Sequence, residues 1–260
     1  MGATHPSELK KVIYGPVPSW RLRRSLGVDL LSRPKTCSFD CTYCQLGPTR
    51  HKLTRRQEFV PTSRVIAELE ALREVAVDFV TFSGMGEPTL ASNLGEAIVE
   101  ASARIRAPVA VLTNSSLIAD PAVRAELALA DFVVAKLDAP DEDLFRRVNR
   151  PAQGITLQAV VEGLRQFRRQ HQGRLAAQVM FYQDNQDRAS EIAALVSSLH
   201  PDEVQVNTPL RPCPVKPLPA PELAEIARAF EGLNVMTAYD PSRPAVQALD
   251  TAETASRRPR

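Results

Sequence analysis

The sequence lacks the features that mark a membrane protein or a secreted protein. It contains no stretch of about 18 apolar residues, the length that a membrane-spanning helix requires. Its first eleven residues, MGATHPSELKK, include no apolar run typical of a signal peptide. We therefore expect a cytoplasmic protein without a membrane partner.

Cysteine is also scarce, with four in 260 residues, and its distribution argues against a disulfide scaffold. Three cysteines lie between residues 37 and 44, whereas Cys213 stands alone in a proline-rich segment. In a reducing compartment, such a tight group favours metal binding over disulfide formation. We interpret Cys213 as an incidental or surface thiol.

A large excess of one charge is absent as well, since the formal net charge is only +2. Residues 10–56 are the exception, with eleven Lys or Arg against two Asp. Such a segment can attract phosphate, and RNA is one source of phosphate. The alternatives are a solvated basic face, or a face that balances the negative charge of a thiolate-bound metal group.

What the chain does contain is a regular alternation of β-rich runs and helical segments, which is typical of a parallel sheet. The predicted strands cover residues 26–31, 77–83, 108–113, 132–138, 175–182 and 203–207. The predicted helices cover residues 62–74, 92–105, 121–129, 155–171, 187–199 and 221–231. This pattern predicts an α/β fold, a partial (β/α)6 TIM-like barrel with parallel strands, and a doubly wound open sheet is the alternative.

We expect one domain over residues 1–240, with a short lead-in over residues 1–24, because 44% hydrophobic content can bury one large core. Residues 241–260 are predicted to be a flexible tail, and the last ten of them, 251–260, are predicted to take no part in the fold. The charged segment 139–154 is predicted either to close over a substrate or to be a solvated connection.

Two of the predicted strands carry polar residues at every second position near their carboxyl ends. These pairs are Lys136 with Asp138, and Gln205 with Asn207. Because side chains alternate between the two faces of a strand, one face is predicted to offer polar groups at the barrel mouth, where βα barrels carry their sites.

The most informative stretch is residues 37–44, CSFDCTYC, in which Cys37, Cys41 and Cys44 have the spacing CxxxCxxC. Three thiolates are one ligand short of a closed structural site, so they leave one metal position free for another molecule. For a structural zinc site, His51 is the convenient candidate for the fourth ligand.

This loop, with an aromatic residue before its last cysteine, resembles the cluster loop of the radical S-adenosylmethionine (SAM) enzymes. SGMGEPT at residues 83–89 is similar to the Gly-Gly-Glu element of that superfamily, with Met85 at the first glycine place. LTNS at residues 112–115 and KLDA at residues 136–139 extend the resemblance to the next two predicted strands.

The resemblance implies a [4Fe-4S] cluster held by Cys37, Cys41 and Cys44, with SAM bound to the fourth iron. Reduction would split SAM to a 5′-deoxyadenosyl radical that takes hydrogen from a substrate. The implied partner is an electron donor of the flavodoxin or ferredoxin type.

The same resemblance implies which further residues bind SAM. Tyr43 would lie near the adenine, and Gly84 and Gly86 would allow close backbone approach. Glu87 or nearby backbone would meet the methionine ammonium. The candidates for ribose or carboxylate contacts are Asn114, Ser115 and Asp138.

Lys136 is the candidate catalytic residue, and it has two interpretations. A lysine in a barrel lumen can form a Schiff base with a carbonyl substrate or hold a carboxylate. The alternative is a salt bridge with Asp138 or another neighbouring acid.

A narrower likeness concerns the substrate. Residues 14–19 (YGPVPS), 25–29 (SLGVD) and 138–151, which end in NRP, are similar to a radical SAM group related to the wyosine-base synthases of transfer RNA. Those synthases carry extra cysteines for a second cluster, and this chain has none ahead of Cys37. The likeness favours transfer RNA or another RNA as substrate, with a small metabolite or a protein as alternatives. A non-catalytic, metal-containing RNA-binding module is the interpretation from a different class.

Overall fold

The computed structural model describes residues 11–31, 34–240 and 242–257. Its centre is one eight-stranded sheet in which the strands lie side by side in sequence order. The strands are β1 (Ile13–Ser19), β2 (Arg23–Val28), β3 (Phe79–Phe82), β4 (Val109–Thr113), β5 (Phe132–Lys136), β6 (Arg174–Met180), β7 (Glu203–Asn207) and β8 (Val235–Thr237). β1 pairs antiparallel with β2, and all later neighbours are parallel. The sheet curls into a partial TIM-like barrel, which confirms the predicted fold class.

Helices supply most of the crossovers that parallel neighbours require. They are α1 (Thr62–Glu70), α2 (Leu94–Arg104), α3 (Pro121–Leu127), α4 (Glu142–Val148), α5 (Leu157–Gln170), α6 (Ala189–Ser197), α7 (Ala220–Arg228) and α8 (Thr251–Arg257). Within the described residues, no helix has the length and apolar character needed to cross a membrane.

The predicted strands correspond to β2 through β7, and two edge strands were missed. β1 contains Pro16 and Pro18, which an edge strand tolerates because one of its sides needs no partner. β8 has only three residues, too few to show an alternating pattern.

Six helices match their predictions, with ends that differ by at most four residues. Segment 139–154 contains α4, whose Leu144, Phe145 and Val148 are buried, so it is not merely a solvated connection. The prediction that residues 251–260 take no part in the fold is wrong for α8. Arg257 at its end is buried and forms an ion pair with Asp29.

Strand parity divides the barrel into two apolar regions. Most strand side chains that point outward join the large core beneath the helices. The opposite face forms a small separate cluster inside the curl, made of Leu22, Ala110, Phe132, Val134 and Ala176. Lys136 shares the parity of Phe132 and Val134, so it follows this cluster toward the carboxyl ends of the strands.

Candidate active site

A cleft of about 290 Å³ opens on the inner face of the barrel. It contains nine of the eleven residues that the sequence singled out: Cys37, Cys41, Tyr43, Cys44, Gly84, Gly86, Glu87, Asn114 and Lys136. Ser115 and Asp138 are not among its lining residues. The tertiary structure thus brings together groups from four separate motifs.

The cysteine loop follows β2 and is attached to the turn after β3. The Thr36 amide donates to the Met85 carbonyl at 2.8 Å, and the Glu87 amide donates to the Thr36 carbonyl at 3.0 Å. On the other side, the Thr42 amide donates to the Val148 carbonyl at 3.0 Å. Both sides of the loop are therefore held by backbone from later in the chain.

Three nitrogen donors point at two of the cysteine sulfurs. The Asn114 side-chain amide lies 3.5 Å from Cys37 Sγ, and the Phe39 backbone amide lies 3.5 Å from the same atom. The Asn149 side-chain amide lies 3.6 Å from Cys41 Sγ. Such donors stabilise negative charge on sulfur, so this donor set fits thiolates bound to an iron-sulfur cluster.

Without metal, the cysteine environment favours the neutral thiol. Burial raises the pKa of Cys37 to about 12 and the pKa of Cys41 to about 11. Metal binding must therefore displace their protons, as thiolate ligation requires. In the described part of the chain, no three His, Cys, Asp or Glu side chains are arranged to hold one metal ion. A [4Fe-4S] cluster needs no such arrangement, because each cysteine binds a different iron.

Asp138 holds the cysteine loop from behind. Its Oδ2 accepts hydrogen bonds from the Tyr43 hydroxyl and, at 2.7 Å, from the Asn149 amide. Its Oδ1 accepts from the Met180 backbone amide at 2.8 Å. The carboxylate is 1% exposed and is not part of the cleft lining, so in this structure it supports the cysteine loop, and its contact with SAM stays a prediction.

Lys136 extends into the cleft beside Tyr43. Its ammonium nitrogen lies 4.7 Å from the centroid of the Tyr43 ring, a cation–π contact. The alternative prediction of a salt bridge with Asp138 is wrong, because the partners of that carboxylate are Tyr43, Asn149 and Met180. No acidic side chain of the described residues forms an ion pair with Lys136 within 4 Å, so its charge is directed at the cleft.

The glycines of SGMGEPT serve close packing of backbone. Gly84 and Gly86 have φ values of +149° and +156°. A Cβ on Gly84 would lie 2.3 Å from Asp29 Cγ, and one on Gly86 would lie 1.5 Å from the Thr36 carbonyl oxygen. The groups that approach these glycines in this structure belong to the protein itself, and the approach of SAM stays a prediction.

Glu87 joins the ends of β3 and β4. Its carboxylate accepts from the Thr113 hydroxyl at 2.6 Å, the Asn114 backbone amide at 2.6 Å, and the Thr89 amide and hydroxyl at 3.1 and 2.7 Å. Burial raises the pKa of this carboxyl, and these hydrogen bonds oppose the rise. Four donors already surround the group that was predicted to meet the methionine ammonium.

Ser115 follows Asn114 with φ at +66° and is 1% exposed. Its hydroxyl has no hydrogen-bond partner among the described residues. The predicted contact between Ser115 and SAM thus has no counterpart in the lining of the cleft. Cys213, which was interpreted as an incidental or surface thiol, and His51, the candidate fourth ligand of a structural zinc site, also lie outside the cleft lining.

Sequence reasoning missed the remaining wall of the cleft. Its charged and aromatic members are Trp20, Arg21, Arg211 and Arg243. Trp20 and Arg21 lie in the turn after the unpredicted strand β1, and the two other arginines lie in segments without periodic patterns. One sequence signal for this wall was available, because Arg211 and its neighbours follow the polar carboxyl end of β7.

A family model described as the radical SAM superfamily matches residues 31–196. A UPF0026 protein of Synechocystis sp. is 43% identical, with 83% of this chain and 80% of that protein covered. A UPF0026 protein of Methanocaldococcus jannaschii is 34% identical, with 86% of this chain and 71% of that protein covered.

Two solved structures share the fold at low sequence identity. Streptococcus suis SuiB bound to SAM has a TM-score of 0.63 and 16% identity, covering 80% of this chain and 49% of SuiB, so the chain spans about half the SuiB length. TYW1 with a lysine-pyruvate adduct has a TM-score of 0.63 and 16% identity, covering 81% of this chain and 74% of TYW1.

The family model spans more than half of the chain, and the cleft collects the three cysteines of the CxxxCxxC motif with amide donors directed at their sulfurs. On these grounds the chain belongs to the radical SAM superfamily, whose enzymes use a [4Fe-4S] cluster, SAM and a source of electrons.

Proposed function

We propose that this protein is a radical SAM enzyme that modifies an RNA base, with transfer RNA as the first substrate to test. The observation that carries the proposal is the cleft, which combines Cys37, Cys41 and Cys44 with a wall whose charged residues are mainly cationic. RNA supplies the phosphates that such a wall attracts.

The chain's own residues hold the cofactors in this proposal. Cys37, Cys41 and Cys44 hold the cluster, and the amides of Asn114 and Asn149 stabilise two of the thiolates. When bound, the cluster and SAM supply a 5′-deoxyadenosyl radical that abstracts hydrogen. Tyr43 is proposed to contact SAM, and Lys136 to hold an anionic group or a carbonyl of the bound molecules. Gly84, Gly86 and Glu87 are proposed to shape the adjoining backbone.

The charge of the cleft supports a substrate that carries negative charge. Lys136, Arg21, Arg211 and Arg243 line it, and Glu87 is the acidic residue among the described lining groups. Since four protein donors satisfy the Glu87 carboxylate, the one acidic lining group is already engaged, and the charge of the cleft lining is positive.

The likeness to TYW1 supports the scaffold of this proposal, and the wyosine-related motifs support the substrate class. The electron donor is proposed to be a flavodoxin or a ferredoxin. Both are small and acidic, so the basic residues near the cysteine loop would favour their encounter with this protein.

The test is release of 5′-deoxyadenosine from SAM by the anaerobically reconstituted, chemically reduced protein. We expect transfer RNA to stimulate release and nuclease digestion of the same RNA to abolish the stimulation. Cys41→Ala, which lacks one cluster ligand, is the control for release that does not depend on the cluster.

Release that is insensitive to RNA would overturn the substrate class and direct the search to small metabolites and proteins. No release from protein with a complete cluster would overturn the enzymatic proposal itself and favour a non-catalytic RNA-binding module.

A further inference from the structure

The single tryptophan of the chain lies in the wall of the cleft. Trp20 belongs to the turn between β1 and β2 and packs partly against the large apolar core. The Ser19 hydroxyl accepts from the Leu22 amide at 3.1 Å, and Leu22 is buried in the apolar cluster inside the barrel. The indole is therefore held on a well-anchored turn while part of its surface faces the cleft.

A guanidinium accompanies the indole. The central guanidinium carbon of Arg21 lies 5.1 Å from the centroid of the Trp20 ring. A planar aromatic ring beside a cation suits a ligand that has both a flat ring and negative charge.

More positive charge lines the same cleft in the segments after β7 and β8. Arg211 follows Leu210, which is exposed although it is apolar, and Arg243 is exposed after β8. Neither arginine forms an ion pair within 4 Å with any acidic side chain in the described ranges. Arginine recognises phosphate through a planar fork of N–H donors, so both side chains suit a phosphate group.

We propose that Trp20 and Arg211 form a nucleotide subsite in which the base stacks on the indole while Arg211 and Arg243 bind its phosphate. This inference rests on the proposed function, because it names how the RNA substrate enters the cleft. Stacking on an aromatic side chain accepts any base, so Trp20 supplies affinity rather than sequence specificity.

The test measures binding and needs no SAM cleavage. The probe is labelled guanosine 5′-monophosphate, because a purine offers a large stacking surface, and equilibrium dialysis is performed on the reconstituted, unreduced protein with saturating SAM. We expect Trp20→Leu to weaken binding of the nucleotide by roughly tenfold to a hundredfold, and Trp20→Phe to weaken it by only a few-fold. Arg211→Gln should weaken binding of both the nucleotide and inorganic phosphate.

The controls separate this subsite from the SAM site and from general charge. Each variant must retain the iron content and the SAM affinity of the natural protein. Arg228→Gln, which removes an exposed arginine from α7, should leave nucleotide binding unchanged. Competition between the labelled nucleotide and a short RNA oligonucleotide then shows whether the ligand is free nucleotide or RNA.

Three results would overturn the proposal: no binding of the nucleotide with SAM present, equal binding by natural protein and Trp20→Leu, or a loss of SAM affinity that matches the loss of nucleotide affinity. The last result would assign the indole to SAM. A protein that binds the nucleotide but never releases 5′-deoxyadenosine would retain the subsite and lose the proposed reaction, so the two failures are distinguishable.

Discussion

At the scale of single residues, the side chains behind the cysteines distinguish this cluster loop from a bare CxxxCxxC motif. Asn149 donates to Asp138 and also lies 3.6 Å from Cys41 Sγ, so one amide joins the loop to its buried support. Asn114 plays the corresponding part at Cys37. Hydrogen bonds to sulfur stabilise the more negative, reduced form of a cluster and so raise its reduction potential.

Asn149→Ala should therefore lower the cluster potential by on the order of 20–60 mV, since one hydrogen bond contributes about 0.5–1.5 kcal/mol and 59 mV is tenfold for one electron. The measurement is a redox titration followed by electron paramagnetic resonance. Asn185→Ala is the matched control, because this buried amide donates to the Asp138 and Met180 carbonyls instead of sulfur. An equal shift in both variants would assign the effect to packing alone.

Cys41→Ala should lose the cluster and SAM cleavage while the barrel stays folded, because the cysteine loop lies outside the strands of the sheet. Iron content, visible absorption and 5′-deoxyadenosine release measure the loss, and circular dichroism measures the fold. Cys213→Ala should match the natural protein, since its thiol donates to the Val215 carbonyl and lies outside the cleft lining. Full cleavage by Cys41→Ala would contradict the ligand assignment.

At the scale of elements, the turn after β3 and the cysteine loop form one unit through Gly86. The Thr36 carbonyl occupies the space where a side chain at residue 86 would begin. Gly154 offers a useful contrast, because its φ is +87° but no atom lies within 4 Å of the position of an added Cβ.

Gly86→Ala should destabilise the protein by about 3 kcal/mol, from overpacking of about 1–3 kcal/mol together with backbone strain of about 1–2 kcal/mol. Gly154→Ala should lower stability only by the backbone strain, because no atom lies close to the added Cβ. Chemical denaturation of both variants without the cluster measures the difference. Equal losses would show that Thr36 moves aside without cost.

The short helix α8 supports the same turn from its other side. Arg257 donates to Asp29 Oδ2 at 2.8 Å, and that oxygen also accepts from the Met85 amide at 3.3 Å. The two charged side chains are 3% and 0% exposed. A buried pair of this kind need not add net stability, but removing one partner leaves the other charge buried without compensation.

Arg257→Met should destabilise the protein by about 3–5 kcal/mol near neutral pH. Burial raises the pKa of the Asp29 carboxyl, and Arg257 opposes that rise, so the pKa climbs further in the variant. Above its raised pKa, the buried Asp29 carboxylate lowers the stability of the folded protein, and protonation of that group at lower pH removes this effect. The loss of stability caused by Arg257→Met should therefore be smaller at about pH 5 than at about pH 8. Denaturation at both pH values tests the sign.

Arg228→Met is the comparison for that experiment, because it breaks an ion pair whose arginine is 77% exposed. It should change stability by less than about 1 kcal/mol. A loss for Arg257→Met that is equal at both pH values would mean that packing, and not the charge of Asp29, causes the effect.

At the scale of the whole molecule, the basic segment is not a single RNA-binding face. Several of its cations pair within the protein: Lys11 with Asp250, Arg24 with Asp78, and Arg56 with Glu126. Lys35 donates to the Gly47 carbonyl, and Lys52 donates to the Arg150 carbonyl. Many of these cations thus connect distant parts of the fold, and we expect the cations that line the cleft to contact the substrate.

The site is assembled from segments throughout the chain, so ligand binding should stabilise the whole molecule. SAM at about 100 times its dissociation constant should add about 2.7 kcal/mol to the unfolding free energy of the reconstituted, unreduced protein. Thermal unfolding with and without SAM measures this gain. Cys41→Ala should show a much smaller gain, and equal stabilisation of both proteins would contradict SAM binding at the cluster.

The sequence by itself determined the cofactor chemistry and the positions of six strands along the chain. Cysteine spacing is local, and so are the apolar runs of β2 to β7, so both can be recognised within a few residues. It did not determine that Asp138 lies behind the cysteine loop, or that protein donors surround the Glu87 carboxylate.

Tertiary structure decided these contacts because their partners are far apart in the chain. Asn149 and Cys41 are separated by 108 residues, and Arg257 and Asp29 by 228. Whether a carboxylate meets a ligand or supports a loop depends on which donors surround it once it is buried, and local sequence contains no record of those donors.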